Sequence, residues 1–142
     1  MWFRVNETVP ANTTEDNAIE TRLPITSGTI VEWDVGGPDE GADLLRLQAF
    51  YQGQQILPFN PGKYLFPSMV KAPKKDNYPI AQPPFELLFK AWNNDDSYPH
   101  EYWVDITILR EEELMGTTVS PSLASRISDF FTGLVSLIFE VF

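Results

Sequence analysis

Residues 85–109, FELLFKAWNNDDSYPHEYWVDITIL, contain the two clearest β-strands in this chain of 142 residues. Apolar and polar side chains alternate along both strands, which places the apolar ones on one face of a sheet. The residues predicted to face inward are Phe85, Leu87, Phe89, Ala91, Tyr102, Val104, Ile106 and Ile108. Residues 93–99, between the strands, have loop chemistry throughout. This stretch therefore predicts a β-rich fold.

Shorter strand-like segments precede this stretch. Residues 29–35 alternate, which predicts Val31, Trp33 and Val35 on the inner face. Residues 45–51 also alternate, and Gly53 between residues 51 and 55 favours a tight hairpin. A proline-rich passage over residues 73–84 cannot supply a central strand, because proline has no backbone N–H to donate. About six short strands separated by turn residues predict a mainly β fold, with a single β-sandwich or jelly-roll-like domain over residues 25–112.

The two ends of the chain differ from this central domain. Residues 1–24 are polar and acidic, and we predict one short N-terminal strand followed by an extended arm. Residues 113–119 contain Gly116 and two threonines, and are predicted to be a linker. Ser120 is a good N-cap and Pro121 suits the first helical position, so residues 120–142 are predicted to form a C-terminal apolar α-helix.

The predicted terminal helix carries apolar residues alternately three and four positions apart, the spacing of a heptad seam. We predict an interface with a partner through Leu123, Ile127, Phe130, Phe131, Leu134, Leu137, Ile138 and Val141. The breadth of the stripe favours a homo-oligomer of three or more helices, such as a trimer, over a dimer. Docking on the chain's own sandwich and contact with a membrane are alternatives. Arg126, Asp129 and Glu140 disfavour a membrane span, since buried charges are costly there.

Charge and composition exclude several classes of function. Twenty acidic and ten basic side chains give a formal net charge of −10, which repels nucleic-acid backbones. The chain has no cysteine, so disulfides and thiolate chemistry are excluded. Its first residues lack the basic and apolar regions of a signal peptide, so we expect no secretory leader, and the compartment stays open.

Two oxygen-rich loops and one histidine are the candidates for metal binding or catalysis. Residues 93–97 and 36–43 contain several Asp, Asn or Glu side chains, but the first lacks the alternation and distal glutamate of a calcium-binding loop. His100 is the only histidine, and no activated nucleophile is apparent near it. We expect His100 to bond to a turn backbone. The sequence thus predicts no metal site, no cofactor and no catalytic residue.

Aromatic residues give the other indication of function. Trp33, Trp92 and Trp103 lie on predicted strands, and tryptophan rings on β-sandwiches are platforms for sugar rings in many binding modules. Packing in the core explains the same residues more simply. A carbohydrate-binding or adhesin-like module, with these three as the ligand-facing aromatics, is therefore kept as an alternative function.

Residues 25–110 followed by an apolar helix resemble the compact β-sandwich proteins that phages and archaeal viruses use as decoration, spike or minor capsid components. The resemblance is one of architecture and composition, without a diagnostic motif. It implies a virion surface protein that contacts its own copies and another structural protein. We therefore expect a non-enzymatic structural or assembly protein. A carbohydrate-binding module and a membrane-attached protein are the alternatives.

Overall fold

The computed structural model describes residues 1–114, and the chain divides into two compact units, Met1–Ile108 and Leu109–Phe142. The first unit is mainly β and contains three short 3₁₀ turns, Glu15–Asn17, Asp39–Gly41 and Pro67–Met69. The eight strands are β1 (Trp2–Val9), β2 (Ile19–Pro24), β3 (Gly28–Gly36), β4 (Leu45–Tyr51), β5 (Gln54–Leu57), β6 (Lys74–Ile80), β7 (Glu86–Asn93) and β8 (His100–Leu109).

The strands form two four-stranded antiparallel sheets. Sheet A has the order β1-β8-β3-β6, and sheet B has the order β2-β7-β4-β5. The pairings are nested: β4 pairs with β5, β3 with β6, β2 with β7, and β1 with β8. The eight strands thus behave as one long hairpin that folds over to make two sheets.

The core lies between the two sheets and is lined by the alternating apolar residues of each. The inward-facing residues predicted for β7 and β8 are confirmed, since Leu87, Phe89, Ala91, Tyr102, Val104, Ile106 and Ile108 are all completely buried. Phe85, just before β7, is partly buried and packs against the same core. The two-residue alternation therefore assigned the inner face of both strands correctly.

The N-terminal region differs from the predicted extended arm, because its second half contains a strand. Residues 19–24 form β2, which pairs along its whole length with β7. The segment IETRLP has little apolar alternation, since β2 is an edge strand and half of its residues are exposed. Both β1 and β2 are therefore parts of the sheets.

The proline-rich passage also contains a strand, and its position agrees with the sequence argument. β6 lies at the edge of sheet A, where Pro79 needs no partner on its open side. In β3 the predicted inner face is partly wrong. The pairing with β6 shifts between Ile30 and Glu32, so Ile30 is buried in place of Val31, while Trp33 and Val35 stay buried as predicted.

The second unit is described only at its beginning. A short helix, α1 (Glu111–Leu114), follows β8 and includes the first two residues of the predicted linker. Arg110 Nη1 lies 3.9 Å from Glu112 Oε1. The remaining linker, the predicted C-terminal helix of residues 120–142 and its eight interface residues lie outside the described residues.

Candidate functional site

Two of the three tryptophans proposed as ligand-facing are not accessible to a ligand. Trp33 lies in the core with only 1% of its surface exposed, and its Nε1 donates a hydrogen bond of 2.9 Å to Asp76 Oδ2. Trp92 is 2% exposed, although it faces outward from sheet B opposite Arg46. Tyr102 is completely buried, and burial raises the pKa of its phenol to about 12. Only Trp103 is partly exposed.

A covering segment explains why Trp92 is buried on an outward face. Residues 58–73, here called the cover, connect β5 to β6, and Leu65 within them exchanges two backbone hydrogen bonds of 2.9 Å with Leu47. The Tyr64 ring packs edge-on against Trp92 with centroids 5.4 Å apart. Gln48 Nε2 and Gln55 Nε2 donate to the Lys63 carbonyl at 2.9 and 2.8 Å. The cover is therefore held by uncharged groups and aromatic contacts.

Arg46 adds a cation to this cluster. Its guanidinium carbon lies 4.7 Å from the Tyr64 ring centre and 5.7 Å from that of Phe66, a cation–π arrangement. The side-chain amide of Asn94, turned with its oxygen toward Arg46, accepts from both terminal nitrogens at 3.2 and 3.1 Å. Trp92 is thus enclosed by residues far from it in sequence.

Trp103 lies on the outward face of β8 and packs against the backbone of loop 36–43. A Cβ on Gly36 would come within 2.6 Å of three atoms of the Trp103 ring, so only glycine permits this contact. A Cβ on Gly37 would lie 2.8 Å from the Glu101 carbonyl oxygen. Beside this contact is a recess of about 390 Å³, here called the Trp103 recess, and its polar lining includes Asp34, Asp39 and Lys71.

A second recess lies on the other side of loop 36–43. This cleft of about 560 Å³, here called the Tyr98 cleft, is lined by Thr8, Pro38, Glu40, Tyr98 and Glu101, together with Asp95, Pro99 and His100. Tyr98 is 69% exposed, the highest exposure of any large hydrophobic side chain among the described residues. The two loops that the sequence singled out for their acidic residues therefore meet at one site.

Asp95 and His100 are hydrogen-bonded in the wall of this cleft. His100 Nε2 lies 2.8 Å from Asp95 Oδ2, so the histidine bonds to a turn side chain instead of the backbone that the sequence predicted. The Ser97 backbone N–H, which donates to Asp95 Oδ1 at 2.9 Å, and the His100 ring hold the pKa of the Asp95 carboxyl below its usual value. The pair fixes the start of β8 against the preceding loop.

Asn93, at the end of β7, holds the other end of the loop between β7 and β8 through hydrogen bonds. Its buried Nδ2 donates to the carbonyls of Val9 at 3.2 Å and Tyr98 at 2.9 Å. Its Oδ1 accepts from the Asp95 backbone N–H at 3.0 Å, in an Asx turn. These bonds use oxygens that a calcium ion would need, and they hold Tyr98 in place at the cleft. The sequence pattern marked the turn but not this role of Asn93.

The described residues show no metal cluster, and the serine nearest to His100 in sequence is bonded elsewhere. Within residues 1–114, no three His, Asp or Glu side chains come close enough together to bind a metal ion. The Ser97 hydroxyl donates to Asp96 Oδ1 at 2.9 Å, so the serine nearest to His100 in sequence is not paired with the histidine. No helix in this part of the chain has the length and apolarity needed to cross a membrane.

Comparison of the chain with protein families, curated proteins and solved structures gives no match in any of the three. The interpretation of its function therefore depends on its own residues.

Proposed function

We propose that this chain is a non-enzymatic structural or assembly protein in which a jelly roll is displayed on a homo-oligomer. The nested strand order is the single observation that carries the proposal. Eight antiparallel strands, paired as one folded hairpin and divided between two sheets, match the connectivity of jelly rolls, the architecture of viral capsid and lectin domains.

A fold alone does not determine a function, so the sheet edges are a second consideration. Exposed edge strands are sites of unwanted pairing between copies, and proteins protect them with charge, proline or short length. β6 presents Lys74, Lys75 and Pro79, β2 ends at Pro24, and β5 has only four residues. Three of the four sheet edges therefore disfavour assembly through strand pairing, and β1 is the remaining edge.

The C-terminal heptad of residues 120–142 is the element that we propose for assembly. Its interface residues would join three or more copies and hold the jelly rolls outward. The net charge of −10 would keep the displayed domains soluble and apart. In this proposal the assembly is a decoration or spike component on a virion surface, in contact with another structural protein.

The test is the light-scattering mass of the full chain in detergent-free buffer, beside a double variant with Phe130→Asp and Leu134→Asp. The proposal expects a defined oligomer for the wild type and monomers or insoluble protein for the double variant, because charge in an apolar seam is costly. Asp129→Leu is the matched control and should keep the oligomer. An unchanged mass in the double variant would contradict the proposal. Monomers that float with liposomes only when residues 120–142 are present would favour membrane attachment.

Carbohydrate binding is the second candidate function, favoured by the exposed Tyr98 ring and the partly exposed Trp103 ring on either side of loop 36–43. Lectins are among the known uses of the jelly roll. This candidate does not compete with assembly, since an oligomer would multiply weak sites.

A further inference from the structure

We propose that the Tyr98 cleft and the Trp103 recess together bind a neutral oligosaccharide. The proposal deepens the carbohydrate-binding candidate and does not depend on the oligomer. Both recesses are lined by loop 36–43, with Pro38 and Glu40 on one side and Gly36, Gly37 and Asp39 on the other. Each also takes a residue from the start of β8, Glu101 in the cleft and Trp103 in the recess. One extended ligand crossing loop 36–43 would contact both.

Each recess contains an accessible aromatic ring. Tyr98 is 69% exposed and lines the Tyr98 cleft, so its ring is accessible to a ligand there. Trp103 is fixed by its contact with Gly36 and is open toward the Trp103 recess. An aromatic face binds the apolar C–H face of a sugar ring, and the polar groups around it decide orientation.

The polar lining identifies the class of ligand. In the Tyr98 cleft, the exposed carboxylates of Glu40 and Glu101 are available to accept hydrogen bonds from a ligand. In the Trp103 recess, Asp34 and Asp39 accept while Lys71 donates. A ligand that contacts both must donate and accept along its length, as hydroxyl groups do.

Charge separates neutral sugars from other ligands. A basic peptide would suit Glu40 and Glu101 but would meet Lys71 in the second recess. An acidic sugar would be repelled by the carboxylates of both recesses and by the net charge of −10. A neutral oligosaccharide satisfies both recesses without either penalty.

The loop that carries Tyr98 is already ordered for binding. Asn93 bonds to the Val9 and Tyr98 carbonyls, and Asp95 accepts from the Ser97 and Tyr98 backbone N–H groups. The Asn12 backbone N–H donates to the Asp95 carbonyl at 2.7 Å. Little of the protein therefore has to become ordered when a ligand binds. The entropic cost of binding is then small, which favours affinity.

The experiment uses the full chain with neutral hexasaccharides of glucose, N-acetylglucosamine, mannose and xylose, and an array of neutral glycans. Calorimetry and tryptophan fluorescence measure binding. We expect at least one neutral sugar to bind. Tyr98→Ala should weaken binding by at least about tenfold, and Trp103→Phe should weaken it and reduce the fluorescence change. Tyr98→Phe keeps the ring and should keep most of the affinity.

Phe59→Ala is the matched control, because Phe59 is 68% exposed and lies outside both recesses. It should bind as the wild type does. The proposal is overturned if no neutral probe binds, if Tyr98→Ala and Trp103→Phe both bind like the wild type, or if only a hexalysine peptide binds. Light-scattering mass is unaffected by these outcomes, so failure here is distinguishable from failure of the assembly proposal.

Discussion

Trp92 and Trp103 occupy equivalent places in the two sheets but have different surroundings. Each faces outward from a strand with a fully buried neighbour, Ala91 or Tyr102, on the inner face. Trp92 is 2% exposed because the cover and Arg46 enclose it. Trp103 packs against Gly36, is only partly buried and borders an open recess. Strand alternation therefore determines the face of a side chain, while distant segments determine its exposure.

The largest expected difference between Trp92 and Trp103 is in their contribution to the free energy of unfolding. Trp92→Ala should lower the free energy of unfolding by about 3–5 kcal/mol, because it removes a fully enclosed ring. Trp103→Ala should cost roughly half as much, since its ring is already partly in water. Urea denaturation followed by circular dichroism measures both. Equal losses would contradict the contrast between a covered and an open tryptophan.

The next largest expected loss of stability concerns the contact between Trp103 and Gly36. Gly36→Ala should destabilise the protein by about 1–3 kcal/mol, because the new methyl group would overlap the indole ring. In the Trp103→Ala background the same change should cost much less, because the ring is gone. Additive free energies in this double-mutant cycle would show that the strain lies elsewhere in loop 36–43. Gly53→Ala is not a suitable control, because Gly53 has a φ of 78°.

Arg46 provides a smaller test of the cover. Arg46→Met should cost about 1–2 kcal/mol, because it removes the cation from the Tyr64 and Phe66 rings and its bonds to Asn94. The loss is limited because Arg46 Nε is buried without an acceptor among the described residues. Trp92 fluorescence should shift to the red as water reaches the ring.

Arg22→Met is the control for Arg46→Met. Arg22 forms an exposed ion pair with Glu86, with Nη1 2.8 Å from Oε1, and such pairs contribute about 0–1 kcal/mol. If both variants lost the same stability with no spectral shift in Arg46→Met, the arginine would not hold the cover.

The smallest effect concerns pH and distinguishes the cover from the Tyr98 loop. The folded-state pKa of Asp95 is lowered, so its stabilising contribution is present above the unfolded value and is lost as pH falls through the folded value. The amide protection factors of Ser97 and Tyr98 should therefore fall in acid, and Asp95→Asn should remove that dependence. The hydrogen bonds of Gln48 and Gln55 to the cover involve no carboxylate, so the protection factor of Leu65 should change little. A parallel fall in protection at both places would contradict this distinction.

Local sequence patterns predicted those features of the fold that depend on residues adjacent in sequence. The alternation in β7 and β8 identified their inner faces, and Gly53, with its positive φ, marked the hairpin between β4 and β5. β2 was missed because an edge strand needs little apolar alternation, and its hydrogen bonds come from β7. The shift in β3 was missed because a bulge leaves no clear composition signal.

The candidate site could be predicted only in part. Both acidic loops were recognised, but their meeting depends on the strand order, which a single sequence does not specify. The pairing of His100 with Asp95 has a local signal, since they are five residues apart across one turn. The burial of Trp92 had no local sequence signal, because Tyr64 and Arg46 come from separate parts of the chain.

The nested pairing of the strands also affects how the domain folds. Among the four nested strand pairs, only β4 and β5 are joined by a short connection, whereas β1 must meet β8 about a hundred residues later, with Trp2 opposite Thr107. Closing such long loops costs entropy before any contact compensates for it, so folding should take milliseconds to seconds. The order of closure should follow the nesting, from the β4–β5 hairpin outward. During synthesis, β1 would remain without its partner until β8 left the ribosome, and sheet A would be the last part of the domain to form.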